Sequence, residues 1–156
     1  MRSPELRVAR YVAQETAISA VINTAFSLAF FLIVFGRLHV VPVRGVGAYA
    51  FDVLPQSFAI AAMSTLVPGA ITARRLRRGQ IAALPPGGWL PRGLLARTVV
   101  MAVVAMVVAG GATCGLLLAV GPAAMGWWPA LAGKLAYGAA LAGVVTPPGL
   151  RAALRA

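Results

Sequence analysis

The chain has 156 residues, of which 60% are hydrophobic and only 11% charged. A soluble domain carries about 25% charged residues, so an ordinary soluble globular domain is excluded, and disorder is excluded because it needs low hydrophobicity. The net charge is +11, from fourteen bases and three acids. Thirteen of the bases are arginines at the ends of apolar runs, a placement that suits anionic lipid headgroups better than nucleic acid.

A helix needs about 20 apolar residues to cross the hydrocarbon core. Four stretches meet or approach that length, at residues 17–35, 53–73, 98–120 and 130–145. They predict an all-α integral membrane protein, a four-helix transmembrane bundle with one domain over residues 1–156.

The first span follows Arg2, Arg7 and Arg10, as a signal peptide would. Its apolar region is too long for that, and no small-x-small cleavage site follows, so it reads as a retained helix. Glu15, Ser19, Asn23 and Ser27 recur every four residues and make one polar stripe. Such a stripe is costly against lipid and must face another helix or a wet crevice. Two readings are open: a substrate or proton path with Glu15 as the titrating group, or interhelical hydrogen bonding with Glu15 paired to an arginine.

The second span is preceded by Asp52, read as the helix N-cap. Pro55 is tolerated in the first turn, and Gln56 shares a face with Asp52. Pro68 is expected to kink the helix near its end. The run Arg74, Arg75, Arg77 and Arg78 that follows is expected to touch lipid headgroups. The Pro- and Gly-rich segment PPGGWLPRG then lies along the membrane interface.

The third span is the most uniformly apolar and holds Cys114, read as a buried, inert thiol. Gly111 and Gly115 in this span, and Ala132, Ala136 and Ala140 in the fourth, are expected to let helices approach closely. The fourth span is short, ends at Pro147-Pro148-Gly149 and contains Lys134. Lys134 lies at the depth of Asp52 and Gln56. It either pairs with Asp52, snorkels to the headgroups or serves a substrate.

The N-terminus, the second loop and the tail together hold eleven bases, against two in the other loops. The positive-inside rule then puts both termini in the cytoplasm, which fits an even number of spans and a bacterial inner membrane. Tyr49, Trp127 and Trp128 fall at the outer interface, Tyr11 and Trp89 at the inner one. The halves have related ends: aligning Pro68 with Pro148 also pairs Gly69 with Gly149, Ala73 with Ala153 and Arg75 with Arg155. A repeated helical hairpin and common helix-end punctuation both account for this.

No nucleotide-binding, zinc-protease, calcium-loop or nucleophile-elbow motif is present. The one histidine is His39, and the carboxylates fall at two depths, Glu5 and Glu15 at one and Asp52 at the other. No catalytic, cofactor or metal site is expected, and the chain is expected not to be an enzyme. The pattern E-x-x-x-S-x-x-x-N-x-x-x-S from Glu15, D-x-x-P-Q from Asp52 and a Pro-Gly before an arginine cluster resembles small uncharacterised four-span bacterial membrane proteins. Glu15 alone resembles the first-helix acid of small multidrug-resistance efflux proteins, from which the long arginine-rich second loop departs. The expected function is an accessory or structural component that binds other membrane components, or alternatively a small oligomeric transporter. The expected partners are anionic lipid headgroups and a second copy or another membrane protein, not nucleic acid. The intramembrane polar candidates are Glu15, Asn23, Asp52, Gln56 and Lys134.

Overall fold

A computed structural model describes residues 4–155. Arg2, counted above among the bases, and the side chain of Glu5 lie outside the described residues. Helix α1 covers Pro4–Phe35, strand β1 Val40–Pro42 and helix α2 Tyr49–Arg77. The third span is α3 (Leu94–Ala105), a π-helical turn (Met106–Gly110) and α4 (Gly111–Val120); strand β2 (Ala124–Gly126) and helix α5 (Trp127–Leu154) complete the chain.

The four apolar helices are 27–30 residues long, or about 40–45 Å at 1.5 Å per residue. They exceed the roughly 30 Å hydrocarbon core, so they start earlier and end later than the apolar runs alone indicate. The largest difference is in α5, which runs straight through Pro147 and Pro148 to Leu154. Tandem proline removes two backbone donors. The last turns persist because Leu150 and Leu154 are buried with Val12 against Leu76, Ile81 and Leu84. Helix α2 likewise continues through Pro68.

Helices α2 and α5 pack against each other at the centre, α1 lies along α5, and the third span lies along α2. The consecutive helices α1 and α2 have little mutual contact. Each half has the order long helix, short strand, long helix. The strands pair antiparallel, Val41 opposite Met125, and so join the two halves. The ribbon caps one end of the bundle, the strand end, over a cluster of Phe31, Phe35, Val41, Tyr49, Ala130 and Leu131. The arginine runs mark the opposite, basic end.

The small residues expected to mediate packing do not do so. Gly115 has nothing near it, and Ala132, Ala136 and Ala140 are exposed. Contact is made instead at Gly110 against Ser57 and Leu54, and at Gly138 against Ser27 and Ile60. The π turn explains the third span. Its buried face runs through Met101, Ala102 and Ala105, then steps five residues to Gly110 and four more to Cys114. A regular helix would step by three or four, and the one extra residue moves contact from Ala109 to Gly110.

A Cβ at position 138 would collide with the Ser27 hydroxyl. Gly138→Ala should therefore lower the thermal midpoint in detergent, at a cost of about 1–3 kcal/mol. Gly115→Ala should be neutral or slightly stabilising. Equal midpoints for the two variants would refute this packing.

Candidate functional site

Polar side chains line one seam through the bundle, between α1, α2 and α5. At the strand end, Lys134 is only 2% exposed. Its Nζ donates to Asp52 Oδ2 at 2.5 Å and to Gln56 Oε1 at 2.8 Å, and lies 4.8 Å from the Tyr49 ring centroid. A carboxylate, an amide oxygen and an aromatic face surround an ammonium that has three protons to place. Pairing, not snorkelling, holds this lysine. Gln56 turns its amide nitrogen to Ser27 Oγ at 3.1 Å, which carries the network to α1. Asp52 is not the N-cap that the sequence suggested. Helix α2 begins at Tyr49 after Ala48, which makes no side-chain cap. The carboxylate therefore sits inside the first turn, free to face α5.

In the middle, Asn23 Nδ2 donates to Ser19 O at 2.8 Å and to Ser64 Oγ at 3.0 Å. Ser19 Oγ also receives the hydroxyl proton of Thr146 at 3.0 Å. Ser19 is on α1, Ser64 on α2 and Thr146 on α5, so one knot joins three helices. Toward the basic end, Arg75 Nη1 meets Glu15 Oε1 at 2.8 Å and packs over Tyr11, whose hydroxyl bonds Thr72 at 2.8 Å. The whole stripe of Glu15, Ser19, Asn23 and Ser27 is buried. Arg75, half-buried, is engaged in this way, whereas Arg74, Arg77 and Arg78 are exposed.

Because α1 and α2 diverge over α5, an outward-facing groove opens along the seam. One lobe, about 200 Å³, is lined by Asn23, Phe26, Ser27, Phe30, Gln56 and Met63 among others. A second, about 70 Å³, reaches Glu15, Ser19 and Pro68. The groove's accessible surface is almost wholly apolar. Asn23 Oδ1, buried beneath it, has no hydrogen-bond donor.

Sequence reasoning missed Arg97. It is 2% exposed, and its Nε and Nη1 have no partner. It lies on α3 beside Gly69 of α2, where the missing side chain leaves room for it and for Leu94. Arg97 looks in sequence like one more base at a span edge, and only the facing of α3 separates it from the others.

Four long apolar helices with hydroxyls, amides and ion pairs inside, and with Val21, Ile33, Val107 and Val144 outside, reverse the usual soluble pattern. The chain is an integral, multi-pass membrane protein built as a four-helix bundle. No family model matches it, and no curated protein or solved structure is similar to it at a significant level.

Removing one member of a buried ion pair strands the other charge, at a cost of about 3–5 kcal/mol. Asp52→Asn should lower the thermal midpoint most, since Lys134 is the more buried partner. Lys134→Met should be milder, and the double variant should recover most of the loss. An unchanged midpoint in Asp52→Asn would show that the ammonium does not depend on that carboxylate. For Arg97, exchange of an unpaired buried charge for a similar apolar volume removes its desolvation penalty and should stabilise the bundle. Arg97→Met should raise the midpoint, and a fall would reveal an acceptor that the guanidinium uses.

Proposed function

We propose that this protein is a non-enzymatic accessory component of a bacterial inner membrane that binds another transmembrane helix in the groove between α1 and α2. The observation that carries this reading is the outward-facing groove itself, walled by Phe26, Phe30 and Met63 above the buried polar seam. An apolar groove between two helices can take the side chains of a third by close packing. The outward Gly111, Gly115 and Ala136 surfaces leave room for further helix contact. Both termini and the loop 78–93 are assigned to the cytoplasm by the arginine distribution. There Arg74, Arg77 and Arg78 would meet anionic headgroups. The carboxylates Glu15 and Asp52 are each committed to an ion pair, which supports a scaffold rather than a catalyst.

A second reading, a small oligomeric transporter, has one observation in its favour: the polar seam extends from Asp52 at one end to Glu15 at the other. Under it, Glu15→Gln abolishes proton-coupled flux.

A photo-crosslinking amino acid placed at Phe26, in the groove, and at Val144, on an outward face, tests the first reading in native membranes. A discrete protein adduct is expected from position 26 and not from 144, and Met63→Trp, which fills the groove, should weaken it. The adduct mass tells a second copy from a different protein. Equal adducts from both positions, or none from 26, would sink the groove as the binding face.

A further inference from the structure

At the basic end, the segment after α2 folds back over the last turns of α5. Leu84 N donates to Leu154 O at 2.7 Å, and Ile81 and Leu84 pack on Leu150 and Leu154. Between this segment and α5 is a cleft of about 350 Å³, lined by Gly87, Gly88, Trp89, Arg92, Arg151 and Arg155 among others. Arg151, in the last turn of α5, and Arg155, its C-cap, both line the cleft, where like charges repel unless a counter-ion sits between them. Arg92 approaches from the loop. Among the described side chains, both carboxylates that form ion pairs are committed elsewhere, Glu15 to Arg75 and Asp52 to Lys134. No described carboxylate neutralises the three arginines.

The loop is shaped to come close to them. Gly87 and Gly88 have φ of 153° and 108°, a region that favours glycine. A side chain at Gly88 would sit 3.4 Å from Arg155 Nη1. The amides of Gly87, Gly88 and Trp89 make no backbone hydrogen bond among the described residues, so they are further donors at the rim.

The geometry points to a phosphate-binding site made by Arg92, Arg151 and Arg155, occupied by the headgroup of an anionic phospholipid. Planar guanidinium forks suit an anion with several oxygens at once. The lipid is favoured as the source of the phosphate by the cleft's position. Leu90 on its wall packs against the core of the membrane-crossing helices, and Trp89 beside it is 75% exposed, as an indole at the bilayer boundary is. This site is separate from the groove between α1 and α2 and does not depend on what that groove binds.

The test uses the full chain, purified in detergent and stripped of lipid, with phosphatidylglycerol or phosphatidylcholine added and bound lipid read by native mass spectrometry. Phosphatidylglycerol should be retained over phosphatidylcholine. Its apparent affinity should fall about tenfold or more in Arg151→Gln/Arg155→Gln, since charge-assisted hydrogen bonds are lost. Arg92→Gln, on the loop, should weaken binding on its own. Arg77→Gln/Arg78→Gln, which removes the same charge outside the cleft, should leave it unchanged. Thermal midpoints of all variants establish that each is folded. In a second arm, inorganic pyrophosphate is titrated into the lipid-free protein. If pyrophosphate raises the midpoint and phosphatidylglycerol is not retained, the lipid assignment is overturned. Equal losses in the cleft and control variants, or no loss in either, overturn the site itself.

Discussion

An ammonium group is costly to leave unpaired in the interior of a membrane-embedded bundle, and the position of Lys134 imposes that cost on everything around it. The lysine is on α5, its carboxylate on α2, and the glutamine that completes its shell reaches on to α1. Three helices are thereby held in one relative depth and rotation. A slide of α5 by one residue, about 1.5 Å, or a turn by about 100°, would separate the charge from its partner. Apolar packing in lipid supplies little such specificity, because lipid tails are as apolar as the side chains they touch.

The remaining polar groups extend this alignment along the bundle. The knot of Ser19, Asn23, Ser64 and Thr146 repeats the three-helix junction at mid-depth, and Glu15 with Arg75 closes it at the basic end. Glycines at 110, 133 and 138 leave room for the hydroxyl-bearing side chains of Ser57, Tyr49 and Ser27. The third span, by contrast, contributes few polar contacts and is held on α2 through Met101, Ala102 and Ala105. The bundle thus has one polar flank and one apolar flank despite the matching order of its halves. The outward groove lies on the polar flank.

Much of this was legible in the sequence because two periodicities carry it. Run length gave the four spans, and the four-residue repeat of Glu15, Ser19, Asn23 and Ser27 gave an inward-facing stripe. Counting residues from the span edges put Lys134 level with Asp52 and Gln56. What escaped depends on a single residue or on distant partners. One extra residue in the π turn decides whether Ala109 or Gly110 meets α2, and no pattern in MVVAG marks it. Asp52 has the chemistry of a cap, and only the earlier start of α2 at Tyr49 releases it for Lys134. Arg97 and Arg92 are the same residue type near the same span edge, yet one is buried and the other exposed. Three-residue strands are too short to show an alternation of period two.

The antiparallel ribbon sets an order of assembly. β1 belongs to the first hairpin and β2 to the second, with Val41 paired to Met125 across most of the chain's length. β2 lies between the third span and α5, so β1 has no partner until the first three spans have been made. Closing so long a loop is entropically costly for three residues of pairing, so the ribbon draws its stability from the packing of Phe31, Tyr49 and Leu131 beneath it. It is a latch on the bundle and not its framework.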